Sequence, residues 1–128
     1  MREFMFFIRK ANNNSVTMPA DKHQEFLKAC ETYIGELKQE GKLLSAQPIV
    51  WEGKIIAGKG DTWKEAPINE SGETIGGYYH ILAADLDEAI KIAKANPEFQ
   101  YNEGTRIEVR PLKMKETTTG FVYPSKKN

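Results

Sequence analysis

Apolar and polar positions follow two rhythms along this chain, and they are easiest to separate between Gly76 and Leu112. Tyr78 to Ala83 is a short apolar run of strand length. Asp85 with Glu88 three residues on has the form of a capping box, and Ala89, Ile90, Ile92 and Ala93 then recur at helical spacing as one buried face. Asn96-Pro97 ends that helix. From Thr105 to Pro111 the period becomes two, with Ile107 and Val109 alternating against Arg106, Glu108 and Arg110, as in a strand whose sheet has one more polar face.

The first half has a similar order. Glu3 to Arg9, dense in Phe, Met and Ile, predicts a buried central strand, and the polar run KANNNSVTM after it predicts a surface loop. Pro19 suits the first turn of a helix. Phe26, Leu27, Cys30, Ile34 and Leu37 recur at spacings of three and four, which predicts one apolar stripe along a helix from Pro19 to Glu40, with Gly41 as its stop. Lys42 to Val50 and Trp51 to Ala57 read either as two strands or, jointed at Pro48 and Glu52-Gly53, as a bulged hairpin. Gly58 to Gly77 holds five of the ten glycines together with Asp, Asn, Ser and Pro67, which predicts a long loop of the kind that often carries function. In the tail KMKETTTGFVYPSKKN, Phe121 to Tyr123 reads as a short edge strand and the rest frays.

Strand, helix, strand pair, strand, helix, strand is the order of a ferredoxin-like α+β domain, with two helices on one face of a largely antiparallel sheet. Residues 1–112 form that domain and 113–128 its tail. One sheet face is then left bare. Strand one presents either Phe4, Phe6 and Ile8 or Met5, Phe7 and Arg9 there, and both sets are too apolar for water. A second copy is the expected cover, giving a homodimer with its sheets face to face and roughly 800 Å² buried per partner.

Composition removes several alternatives. At 128 residues the chain supports one core and not two. Eighteen Lys and Arg balance eighteen Asp and Glu, and the lysines are scattered among glutamates, so the basic footprint of a nucleic-acid or anionic-membrane binder is absent. No apolar run approaches the roughly 20 residues of a membrane span. MREFMFFIRK has too short an apolar centre for a secretory signal, and the one cysteine, Cys30, has no internal disulfide partner, so the cytoplasm is the expected compartment. Gly58-Lys59-Gly60 lacks the spacing of a phosphate loop and no metal-ligand cluster is written in the chain, so no cofactor is expected.

Among chemistry-bearing residues His80 stands out, because it interrupts an apolar strand and shares a face with Tyr78 and Leu82. If that face is the bare one, Arg9, Arg106, Glu108 and Arg110 join it around a pocket. An imidazole exchanges protons near neutral pH, and arginines hold a carboxylate or enolate at two points. The competing reading is a core histidine satisfied by a tyrosine or a carbonyl, with the charges pairing across an interface. Asp85 and Asp87 are explained by helix capping and the helix dipole. Cys30 reads as a small core residue, and Trp51 and Trp63 either stack on a ligand or anchor the glycine-rich loop.

In this order Gly41-Lys42-Leu43-Leu44-Ser45-Ala46 after a long helix, Thr74-Ile75-Gly76-Gly77-Tyr78-Tyr79, Asp85-Leu86-Asp87-Glu88-Ala89 and Glu108-Val109-Arg110-Pro111-Leu112 follow the apolar first strand. In these segments the chain resembles the YCII-related, dimeric α+β barrel proteins, particularly the subgroup named for an Asp-Gly-Pro-Phe motif. The tetrapeptide itself is replaced by Gly58-Lys59-Gly60-Asp61-Thr62-Trp63. The resemblance implies dimers whose sheets enclose a pocket and, for some members, a His/Asp acid-base pair. His23 sits where that histidine would fall, but no aspartate occurs between Lys22 and Gly60, which leaves His23 as a polar residue of the helix surface. Two functions remain: a small-molecule-binding or dimerisation module, favoured because the acid-base aspartate is missing, and a cofactor-free enzyme. In the second, His80 would act as acid or base on a small carbonyl or aromatic substrate oriented by Arg9 and Arg110.

Overall fold

The computed structural model describes residues 1–11 and 18–124; most of the expected Asn-rich loop lies outside them. Among the described residues, six strands and three helices follow in the order β1 (Arg2–Ala11), α1 (Ala20–Gln39), β2 (Leu43–Pro48), β3 (Lys54–Lys59), β4 (Thr62–Pro67), β5 (Glu73–Ala83), α2 (Leu86–Lys94), α3 (Glu98–Tyr101) and β6 (Arg106–Pro111). Strands β2, β5, β1 and β6 lie side by side in that order as an antiparallel sheet, the arrangement of a ferredoxin-like α+β fold. Strands β3 and β4 form a separate two-stranded sheet.

Strand β1 is central, as its apolar density requires, and its alternation divides the sheet. Phe4, Phe6 and Ile8 point into the core with Tyr79 and Ile81 of β5, Tyr33 and Leu37 of α1, and Ala89 and Ala93 of α2. Phe4, Phe6 and Ile81 are wholly buried, each contributing on the order of 1.5–3 kcal/mol of apolar transfer free energy. Leu27, assigned above to the buried stripe of α1, is instead 53% exposed. The stripe runs through Phe26, Cys30, Tyr33 and Leu37, and the Tyr33 hydroxyl donates to the Ile92 carbonyl at 2.7 Å, tying α1 to α2.

Helix ends follow their local signals. Gly41 takes φ +72°, its amide donates to the Lys38 carbonyl, and the Lys42 amide donates to the Leu37 carbonyl, a Schellman stop that a side chain would strain. At α2 the Asp85 carboxylate accepts from the Glu88 amide, and Glu88 reaches back to the Ala84 amide, both at 2.9 Å.

Two expectations are corrected. The strand expected over Trp51 to Ala57 begins only at Lys54 and pairs with β4, not with β2. The loop expected over 58–77 contains all of β4 and the start of β5. Its turn-forming residues shrink to a two-residue connection in which Gly60, at φ +67°, fills the first central position, where a type II′ hairpin turn takes glycine. The hairpin is solvent-exposed except at Ala66 and Ile68 below it, so no apolar alternation marked its strands. In the tail, Val122 pairs with Lys115 and the Tyr123 amide with the Met114 carbonyl, so Phe121 to Tyr123 folds on the tail itself instead of extending the sheet. Among the described residues no helix is long and apolar enough to cross a membrane.

Candidate functional site

Residues paired directly across antiparallel strands point to the same face, so the register assembles the uncovered side of the sheet. Met5 faces His80 and Arg110, and His80 in turn faces Ser45. Phe7 faces Tyr78 and Glu108, while Arg9 faces Ile75 and Arg106. The face therefore collects His80, Tyr78, Arg9, Arg106, Glu108 and Arg110, as strand alternation suggested, and the apolar set it presents is Met5 with Phe7.

A cleft of about 670 Å³ opens over one end of this face. Its floor is Met5, Phe7, Arg9, Tyr78, Ile75, Glu73 and Glu108, and its far wall is Ile49, Val50 and Glu52 from the link after β2, with Ile55 of β3 and Ile68. Arg9, Tyr78 and Glu108 line it. His80, Arg106 and Arg110 do not, so the cavity expected beside His80 forms two residues away, around Tyr78. The chain's own hairpin causes the displacement, because it covers only the Ile75 end of the sheet.

The charges form one connected strip. Arg9 reaches Glu73 and Glu108, each at 3.0 Å. Arg106 clamps Glu73 with two 2.7 Å hydrogen bonds, and Arg110 stands 3.8 Å from Glu108. The Arg106 guanidinium, with Arg9 behind it, holds the Glu73 carboxyl below its ordinary range. Arg106 and Arg110 are two-thirds exposed at the rim. Tyr78 shares a 3.0 Å hydrogen bond with Ser45.

His80 Nε2 lies 2.7 Å from Glu3 Oε1, and the Glu3 side chain is only 6% exposed. The two side chains share this hydrogen bond. This meets the requirement that a buried polar group be paired, with a carboxylate in place of the tyrosine or carbonyl expected.

Other candidates separate clearly. His23 is exposed on the first turn of α1. Cys30 lies within a second cavity of about 550 Å³ between α1 and the β2–β5 edge, where burial and then the Glu98 charge push its thiol up to about 11, too high for a nucleophile at neutral pH. Asp85 caps α2 and Asp87 sits in its first turn. Trp51 and Trp63 are exposed; Trp63 faces Gly58 across the hairpin and neither lines the cleft. Among the described residues no group of three or more His, Cys, Asp or Glu side chains could hold a metal ion.

Glu73, Glu52 and Ile55 escaped sequence reasoning. Glu52 and Ile55 belong to a connection and a hairpin with no periodic signal, and Glu73 was hidden in the expected loop. The Gly76-Gly77 pair inside a strand pattern was the one available hint, since glycine there often marks a bulge.

No curated protein matches the chain. The family model of the YCII-related domain matches residues 3–113, from the second residue of β1 to just beyond β6, and so takes in the whole sheet, the hairpin and every cleft residue. The chain belongs to the YCII-related domain family.

Proposed function

We propose that this domain is a homodimeric small-molecule-binding module, in which two copies set their open sheet faces together and a ligand occupies the cleft beneath each hairpin. The observation that carries the reading is the 670 Å³ cleft floored by Met5, Phe7 and Tyr78. Its size falls within the roughly 300–1,000 Å³ of small-molecule sites. An apolar sheet face beside it, covered at one end only, gains by burial against a second copy. Binding is favoured over catalysis because the imidazole best suited to proton transfer is committed to Glu3 and stands outside the cleft lining. The balanced charge and single cysteine suit a cytoplasmic protein.

Sedimentation equilibrium at micromolar concentration tests the assembly. Wild type should sediment at twice the 14.5 kDa of one chain, and Phe7→Asp, which places a charge at the centre of the face, should run as a folded single chain. A wild-type protein that stays at the single-chain mass would refute the reading.

A further inference from the structure

We propose that the cleft takes an apolar molecule carrying one positive charge, an alkyl- or arylammonium or a guanidinium, and not a carboxylate. The inference rests on the ligand-binding reading above and adds the class of ligand.

The arginines of the open face, which suggest an anion site when read from sequence, are already answered. Arg9 has a carboxylate at 3.0 Å on each side, Glu73 and Glu108. Arg106 is engaged by both Glu73 oxygens at 2.7 Å. Arg110 faces Glu108 at 3.8 Å, and neither it nor Arg106 lines the cleft. An incoming carboxylate would have to displace one of these, leaving a like charge beside it, so it exchanges one ion pair for another and adds a repulsion.

Glu52 is in the opposite situation. It lines the cleft wall facing the sheet and makes no hydrogen bond or ion pair with any described residue. The charged side chains that line the cleft are thus Arg9 against Glu52, Glu73 and Glu108. Between the charges the walls are apolar, and Phe7 and Tyr78 line the cleft with aromatic rings, a side-chain type whose faces attract a cation. A ligand with an aromatic or alkyl body and one cationic end fills the apolar space and meets the carboxylate that lacks a partner.

The test compares three probes that share a phenethyl body, phenethylammonium, phenylpropionate and phenylethanol, titrated into the ¹⁵N-labelled full chain in dilute phosphate buffer while the amides of Ile55, Ile75 and Tyr78 are followed by NMR. Phenethylammonium should bind about tenfold more tightly than phenylpropionate, as expected for one charge-assisted contact, with phenylethanol between them. Added salt should narrow the gap. Glu52→Gln, a change at an exposed residue, should bring the three within about threefold of one another. If phenylpropionate binds as well as the ammonium and moves the same amides, the ligand class is wrong while the cleft remains a binding site; if Glu52→Gln leaves the preference intact, the assignment of the cation to Glu52 is overturned. If none of the probes moves those amides at millimolar concentration, the binding reading fails and this inference falls with it.

Discussion

Replacing Gly58 by alanine should unfold the β3–β4 hairpin and leave the four-stranded domain standing. Propensity alone argues the opposite, because glycine inside a strand costs roughly 0.5–1 kcal/mol relative to alanine. At this position, however, a Cβ would lie 2.1 Å from the Thr62 carbonyl oxygen and 2.8 Å from Cε3 of the Trp63 ring. Carbon–oxygen contacts between strands recur near 3.3 Å, so the backbone of the facing strand must retreat by about 1 Å. The oxygen belongs to the backbone and cannot swing aside as a side chain would. An intrusion of this kind costs on the order of 1–3 kcal/mol. That exceeds what the hairpin can lose, because β3 and β4 pair only with each other and a lone two-stranded hairpin is marginal in water.

Hydrogen exchange followed by NMR reads the outcome residue by residue. In Gly58→Ala the amides of 55–57 and 63–66 should exchange freely, while those of 4–8 and 79–83 keep wild-type protection and the thermal midpoint moves by less than about 2 °C. Because Ile55 walls the cleft, affinity for phenethylammonium should fall in the same variant. Refutation takes either of two forms: hairpin protection that survives the substitution, or core protection and thermal midpoint that collapse with it. The second would show that the hairpin belongs to the cooperative core.

Three further outcomes follow from single sites. Gly35 sits inside α1 with no atom within 4 Å of where a Cβ would stand, so Gly35→Ala should stabilise by about 0.5–1 kcal/mol in urea unfolding; a loss of stability would mean that the space beside it is filled. Cys30, with its thiol pushed up to about 11 from 9.0, carries about 100-fold less thiolate at pH 8, partly offset by greater intrinsic nucleophilicity, so exchange with an aromatic disulfide should run about tenfold slower than for a free thiol; a rate equal to that of glutathione would contradict this. Glu73, held below the usual 4.5 chiefly by Arg106, contributes stability that is present above pH 4.5 and lost as pH falls through its lower folded value, so Arg106→Gln should flatten the acid side of the stability–pH curve; an unchanged slope below pH 4.5 would show the pair to be energetically silent.

The elements that sequence reading located share a physical property: each buries one face against the core. β1, α1, α2, β6 and the apolar half of β5 all carry a period that burial imposes, and each was placed to within a few residues. The stop of α1 at Gly41 and the start of α2 at Asp85 were legible because both satisfy orphan backbone groups by rules local to a few residues. The hairpin was not legible, since its strands face water on nearly all sides and nothing selects alternating side chains there. Tyr33 was not named in the apolar stripe, yet its ring lies in the core and its hydroxyl is paired with the Ile92 carbonyl. At the site, alternation placed His80 with the arginines, but the extent of the cleft depended on the hairpin and so could not be read.

One departure from alternation decides what the cleft contains. Counting back from Tyr78 by twos assigns Gly76 and Thr74 to the open face and turns Ile75 and Glu73 toward the helices. The pairing shows otherwise: Ile8 faces Gly77, Arg9 faces Ile75, and Gly76 is the extra residue of a β-bulge between them. The bulge shifts the phase by one. Thr74, paired with Lys10, becomes buried, while Ile75 and Glu73 turn into the cleft. Glycine suits both positions of the pair. At Gly77 a Cβ would come 3.1 Å from the Gln47 carbonyl oxygen of β2, and at Gly76 it would press on the Lys10 stem at 3.3 Å. Lys10 itself is held on the helix side by Glu98 at 2.8 Å, so it does not enter the cleft and alter its charge. Without the bulge Glu73 could not stand between Arg9 and Arg106, both arginines would lack that carboxylate, and the open face would be the anion-seeking surface that its sequence suggests. The glycine pair thus sets a carboxylate between Arg9 and Arg106 and leaves Glu52 as the cleft carboxylate without a partner among the described residues.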